Sequence, residues 1–330
     1  MNDVTSRRSR RRPLISVVMA NYRGAAFVAT ALDSVLAQTI AELEVIVSDD
    51  ASPDESVAIV RQFAERDPRV SLIEAPVNRG PAAARNRALD AARGDWIAIV
   101  DSDDSIHPTR FETLLEAAHD LKADAVADDL LFFSETGTGP TLLGPADGQA
   151  MRISAEHFIR SNTSGSGLPP LGYLKPIFRR SRIDGMRYEE GIRIAEDYDF
   201  LLRLLLEGGR LFVLPEPLYL YRRHPASISH RLSEAHVLAM IHNQWALVTE
   251  RGDRLSPAVH RALDARMEAL RRALAFERLV AALKGWQPAR ALAMLAADPR
   301  LVGPLMKSAS EHWQSRLARP ARIMGAINVR

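Results

Sequence analysis

Cysteine is absent from all 330 residues. That excludes disulfides and thiolate metal sites and suits a reducing compartment. Long apolar runs are absent too: no stretch reaches the roughly 18 residues that a membrane-spanning helix needs. The chain also has little net charge, 43 Lys and Arg against 41 Asp and Glu, so overall charge gives no argument for nucleic acid. No Gly-x-Gly-x-x-Gly follows the first apolar run, and no glycine loop ends in Lys-Ser or Lys-Thr. The dinucleotide and P-loop fingerprints are therefore missing. There is no internal repeat. An apolar share of 47% and a charged share of 25% are ordinary for a globular protein. The length allows one large domain with an appended piece, or two modest domains.

The charge that is present is unevenly placed. Arg7, Arg8, Arg10, Arg11 and Arg12 form a basic N-terminal stretch, and Lys307, Arg316, Arg319, Arg322 and Arg330 close the chain. No apolar segment backs the N-terminal arginines, so the stretch is no secretory signal. Residues 1–12 read as a disordered, solubilising tail; attraction to anionic lipid would add about 1 kcal/mol per basic residue near the surface. The sharpest feature is Asp101-Ser102-Asp103-Asp104, directly after the apolar run Trp96-Ile97-Ala98-Ile99-Val100. Three carboxylates so close repel one another strongly. A hard divalent cation with oxygen ligands relieves that repulsion, as does a phosphate-bearing partner sharing the ion.

Continuous apolar runs at 14–20, 45–47, 70–73 and 96–100 read as strands buried on both faces, with a fifth at 125–127. Helices between them are predicted from Phe27, Ala31, Leu32 and Val35, and from Val57, Val60 and Ala64. Others follow from the segment 82–93 ended by Gly94, and from Phe111, Leu114, Leu115 and Ala118 after Pro108. Ser52-Pro53-Asp54-Glu55 reads as a capping box for the second of these. Alternation at this spacing predicts an α/β fold with a mostly parallel sheet and helices on both faces. Ligands then bind beyond the carboxyl ends of the strands. That rule selects Ala20-Asn21-Tyr22, Asp49-Asp50 and Asp101–Asp104 along one edge. Residues 134–172 read as loops around a helix near 154–161 and crossing the site. A helix is predicted over 196–207, a strand over 211–214, and helices from Glu234 onward.

Together the motifs resemble a known family. They are 15–22 (Ile-Ser-Val-Val-Met-Ala-Asn-Tyr), 47–54 (Val-Ser-Asp-Asp-Ala-Ser-Pro-Asp), 78–86 (Asn-Arg-Gly-Pro-Ala-Ala-Ala-Arg-Asn) and 100–104 (Val-Asp-Ser-Asp-Asp), in that order. Two more lie downstream, at 195–200 (Ala-Glu-Asp-Tyr-Asp-Phe) and 221–229 (Tyr-Arg-Arg-His-Pro-Ala-Ser-Ile-Ser). The pattern looks like a family-two inverting glycosyltransferase of the GT-A fold, a Rossmann-like sheet, over residues 13–230. Gly172-Tyr-Leu-Lys-Pro-Ile-Phe-Arg-Arg180 looks like the subset that builds succinoglycan-type exopolysaccharides.

The resemblance implies roles, residue by residue. Ala20, Asn21 and Tyr22 would line the base pocket, and Asp50 would accept from a uracil N3–H. Arg85 would lie along the base or diphosphate, and Asp101 would meet the ribose. Asp103 would hold Mg2+ or Mn2+ with His224 nearby, and Asp104 would stand behind the ion or face the acceptor. Asp197 would be the catalytic base, a helix N-cap being its bland reading. Lys175, Arg179 and Arg180 read most simply as a solvated basic loop, and Asp128 and Asp129 carry little weight as acceptor contacts.

The implied enzyme moves a hexose, glucose first among candidates, from a UDP-sugar to a lipid-linked exopolysaccharide intermediate with inversion. It would be cytoplasmic, with peripheral contact at the inner face of the cytoplasmic membrane. Rivals are transfer into lipopolysaccharide or capsule, and a sugar-nucleotide binder without catalysis; a binder has no need of a base. Residues 231–330 read as a helical region whose apolar stripes pack on the catalytic domain, while Trp286, Trp313 and the closing arginines suit a membrane surface.

Overall fold

The computed structural model describes residues 12–144, 148–224 and 232–306. The basic tail before Arg12 lies outside these residues, as do Pro225–Ser229 of the last motif, Trp313 and the closing basic residues. One ten-stranded sheet organises the molecule. Its first half is the predicted parallel layer, in the order β3 (Val70–Glu74), β2 (Leu43–Asp49), β1 (Ile15–Asn21) and β4 (Trp96–Ile99). β1 pairs in parallel with β2 and β4, so their carboxyl ends share one edge. Ile15, Val17, Val18 and Met19 are fully buried, which is what an unbroken apolar strand covered by helices on both faces requires.

The covering helices are α1 (Val28–Leu36), α2 (Ser56–Arg66), α3 (Pro81–Ala91) and α4 (Arg110–Asp120). α3 meets the sheet through small residues, Ala82, Ala83, Ala84 and Ala88, which let it approach closely. Gly94 does not end this helix, which stops at Ala91. A Cβ on Gly94 would stand 2.5 Å from the backbone N of Ser16, so the position needs glycine for close approach to β1. The expected capping box at Ser52–Glu55 is not formed. α2 begins at Ser56 without a side-chain cap, and Ser52 instead bonds Asp49 and the Arg23 N–H.

Beyond β4 the sheet continues through β9 (Ile177–Arg179), β6 (Ala125–Ser134), β10 (Leu211–Arg222) and the two-residue β5 (Ser105–Ile106). β9 is antiparallel to β4 and β6, which brings the segment before it, around Lys175, to the same edge as Asp101. The predicted strand at 211–214 is only the start of β10, which runs on to Arg222 through a register shift between Leu214 and Tyr219. Pro215 and Pro217 blur its periodicity. Residues 134–172 are not all loop: β7 (Gly137–Thr141) pairs with β6 and β8 (Met151–Ile153) with β10, before α5 (Ala155–Ser161).

After α6 (Glu196–Leu206) and β10 come α7 (Glu234–Arg251), α8 (Pro257–Lys284) and α9 (Pro288–Ala297). Leu247, Val259, Ala262 and Leu263 of α7 and α8 join the main core. Further on, Leu279, Ala282, Ala291 and Leu301 form a separate small cluster. Among the described residues no helix is long and apolar enough to cross a membrane.

Candidate active site

The strand ends converge as the topology requires. Asn21 ends β1, Asp50 and Asp101 stand beyond β2 and β4, and the chain between β4 and β5 carries Asp103 and Asp104. Asn21 is buried; its amide donates to Asp49 Oδ2 at 2.7 Å, while its Oδ1 has no partner among the described residues. Ala20 is partly covered and Tyr22 is 41% exposed, with Arg23 over its ring at 5.2 Å. Asp49 makes the turn considered for this pair, accepting from the Ser52 N–H and hydroxyl.

Asp50 is only 2% exposed and already serves the protein. It takes the N–H groups of Arg79 and Gly80 at 2.9 and 2.7 Å, and Arg87 Nη2 at 2.8 Å. Gly80, at φ +95, gives the turn that aims those N–H groups at the carboxylate. Of about four lone-pair directions on a carboxylate, one remains.

A carboxylate cluster lies beside it. Oxygens of Asp101, Asp103 and Asp104 come within 4.8 Å of one another. Asp104 is buried and faces inward rather than toward an acceptor: Tyr219 Oη donates to its Oδ2 at 2.8 Å and the Arg222 N–H to its Oδ1 at 2.7 Å. Burial first, then repulsion by Asp103 and Asp101, pushes its carboxyl well above the usual range. Asp103 is the open member, its side chain 34% exposed, with His224 Nε2 at 2.9 Å from Oδ2 and the His224 ring against Phe27. Three clustered carboxylates, one of them open with an imidazole beside it, fit a hard divalent ion.

Charge on the other side of Asp101 is balanced by two buried cations. Arg85 reaches Asp101 Oδ1 at 2.7 Å and Glu196 Oε1 at 2.6 Å, with Asp197 Oδ1 at 3.6 Å. Its guanidinium is thus turned to carboxylates and lies over the Tyr188 ring at 5.4 Å. Lys175, 5% exposed, bridges Asp101 Oδ2 at 2.7 Å and Asp197 Oδ2 at 2.6 Å. Burial pushes Asp101 up, but Lys175 and then Arg85 outweigh it and hold the carboxyl well below the usual range. The same pairing, against the effect of burial, keeps Lys175 well above the ordinary ammonium value.

Asp197 is not the N-cap of α6. Ala195 holds that position in a left-handed conformation, φ +72, with no side-chain cap. Asp197 sits in the first turn, at the positive end of the helix dipole. Asp128 and Asp129 are both buried and bonded within the protein. Asp128 is fully buried against Arg110 of α4, Nη2 to Oδ1 at 2.7 Å, and Asp129 accepts the Leu130 and Leu143 N–H groups.

Sequence reasoning missed Lys175, Glu196, Arg110 and Tyr219 as parts of this framework. A signal existed for Lys175: it stands between Leu174 and Pro-Ile-Phe, and a lysine buried in apolar surroundings must find carboxylates.

Acid groups at parallel strand ends, joined through buried cations to a carboxylate on a later helix, are compatible with the GT-A glycosyltransferase that the sequence motifs resemble. The comparisons agree. A model of "Glycosyl transferase family 2" matches residues 16–162. "Succinoglycan biosynthesis protein ExoO" of Rhizobium meliloti is 37% identical over 290 residues, spanning 87% of this chain and 82% of that protein. "Succinoglycan biosynthesis protein ExoU" of the same organism is 33% identical over 226 residues, 66% of this chain and 65% of that one. Among solved structures, S. aureus TarS 1-349 in complex with UDP-GlcNAc aligns at TM-score 0.61 and 17% identity, covering 87% of this chain and 91% of that one. A mannosyltransferase from Pyrobaculum calidifontis, in complex with GDP-Man and Mn2+, aligns at TM-score 0.57 and 20% identity over 94% and 82%. At such identities the structures speak for the fold alone. The chain belongs to glycosyl transferase family 2, close to succinoglycan biosynthesis enzymes.

Proposed function

We propose that the enzyme transfers a hexose, glucose first among candidates, from a UDP-sugar to a lipid-linked exopolysaccharide intermediate, with inversion. The observation that carries the catalytic part is the joining of Asp101 to Asp197 through Lys175 and Arg85. On this view a nucleotide-side carboxylate and a base are held by one ammonium. In this reading Asn21, Tyr22 and the remaining lone pair of Asp50 serve the uracil, and Asp101 the ribose. Asp103, with His224 beside it, would hold Mg2+ or Mn2+, whose charge would stabilise the departing diphosphate. Asp197 takes the acceptor hydroxyl proton while that oxygen bonds the anomeric carbon from the face opposite the leaving group. The names of the ExoO and ExoU relatives support an exopolysaccharide product. A uridine nucleotide is what the resemblance implies for Asp50, and UDP-GlcNAc is the ligand in the TarS complex. Exposed Leu283, Trp286 and Leu292 beside Lys284 and Arg290, around the turn from α8 to α9, support peripheral contact with the membrane that would carry the acceptor.

The test is nucleotide release from a panel that includes UDP-glucose, UDP-GlcNAc and GDP-mannose, with a lipid-linked saccharide, Mg2+ or Mn2+, and chelator controls. The account expects UDP release from a UDP-hexose that needs acceptor and metal, and that Asp103→Ala abolishes. Release from GDP-mannose alone would overturn the donor assignment. Undiminished release in chelator would overturn the role of Asp103.

A further inference from the structure

We infer that Lys175 is a positioning residue for the base: it grips Asp197 by Oδ2 and so presents Oδ1 to the acceptor hydroxyl. The inference rests on the reading of Asp197 as the base and adds which oxygen acts and what aims it. The two oxygens of Asp197 are not equivalent. Oδ2 accepts from Lys175 Nζ at 2.6 Å. Oδ1 has Arg85 Nη1 no nearer than 3.6 Å, and that nitrogen is given to Glu196 at 2.6 Å. A carboxylate held at one oxygen keeps one rotamer and leaves the other oxygen to the cleft. When the acceptor attacks, its oxygen bonds the anomeric carbon and the bond from that carbon to the diphosphate oxygen breaks. The electron pair leaves with the nucleoside diphosphate, and the acceptor proton ends on Oδ1.

The grip is built to be firm. The carbonyl of Lys175 accepts from Arg110 Nη2 at 2.5 Å, and Arg110 is clamped by Asp128; neither side chain is more than 1% exposed. Pro176 follows, and then β9, whose Ile177 is opposite Ala98 and Val126. The lysine stem therefore rises from the middle of the sheet rather than from a loose loop. Its ammonium is shared between carboxylates on separate elements, the segment after β4 and the first turn of α6, nearly equally at 2.7 and 2.6 Å. A single structural ion pair needs only one of them. Sharing sets the spacing between the ribose side of the cleft and the base.

Two variants test this. Lys175→Met is expected to lower kcat for transfer about a hundredfold, the loss an ångström-scale misplacement costs, with a smaller rise in donor KM because Asp101 keeps its bond from Arg85. Lys175→Arg, which can still reach both carboxylates, is expected to recover most of that loss. An unchanged kcat, or a raised donor KM with kcat intact, would overturn the inference. Crystal structures of wild type and Lys175→Met give a readout that needs no substrate. Released from Lys175, Asp197 is expected to close on Arg85 from the present 3.6 Å to hydrogen-bond distance; a carboxylate that stays in place overturns the role. Should Lys175→Met not fold, Lys175→Ala, which likewise removes the donor, carries both readouts. Wild-type turnover in the same assay reports on the function itself, so the two failures are distinguishable.

Discussion

Among single residues, Tyr219 has a role out of proportion to its distance from the reacting atoms. Its hydroxyl accepts from the Asp101 N–H at 3.1 Å and donates to Asp104 at 2.8 Å, so one phenol fixes both ends of the acidic turn. Tyr219→Phe leaves a buried carboxylate oxygen and a backbone N–H without their partner. It should lower unfolding free energy by about 1–3 kcal/mol in urea titration, and transfer activity should fall with it. Glu44 gives the clearest pH signature. Burial raises its carboxyl, but bonds from Arg93 and Ser16 outweigh that and hold it below the usual value. Its stabilising effect is thus complete above the unfolded carboxylate value and fades as pH falls through the lower folded one. Glu44→Gln should lower stability near neutrality, flatten its dependence on pH in that acid range and converge with wild type at the acid end, as thermal melts across pH would record. The clustered acids at the strand ends were legible in the sequence, because carboxylates straight after an apolar run announce themselves. Their partners were not, because an arginine or lysine in sequence looks the same whether it meets water or a buried carboxylate.

Elements show the same division. β1, β2, β4 and α1 were readable from unbroken apolar runs and from one-sided helices. β10 was not, since Pro215 and Pro217 interrupt it and its partner β6 supplies the pairing across the irregularity. β7 escaped because Gly137-Thr-Gly-Pro-Thr141 has no strand pattern, and only the edge of β6 makes it one. The cap of α6 was misassigned for a similar reason: Ala195 can hold a left-handed turn only where the surrounding fold compels it. The joint between α4 and β6 is the element-scale prediction. Asp128→Ala strands Arg110 as a buried charge and should cost about 3–5 kcal/mol by chemical denaturation. Replacing both, Arg110→Met with Asp128→Leu, should be far milder, yet should still reduce transfer because Lys175 loses the anchor at its carbonyl.

At the scale of the molecule, α7 and the first half of α8 share the core of the sheet, while α9 closes a small cluster of its own. A chain ending after Lys284 should therefore melt within a few degrees of the whole protein, and one ending before Glu234 should not fold cooperatively. Helical character from Glu234 onward was legible from periodicity, but which turns met the catalytic core was not, because a helix stripe does not name its partner. The whole architecture brings one carboxylate, Asp197, to the edge where the strands end, with Oδ2 held by Lys175 at 2.6 Å and Oδ1 no nearer than 3.6 Å to Arg85. That this carboxylate is the base is the central proposal, and Asp197→Asn tests it most directly, since the amide keeps the shape and cannot take the proton. The account predicts that UDP binding, measured by calorimetry, stays within a few-fold of wild type, while kcat for transfer falls by about 10²–10⁴. Full transfer activity in Asp197→Asn would contradict it.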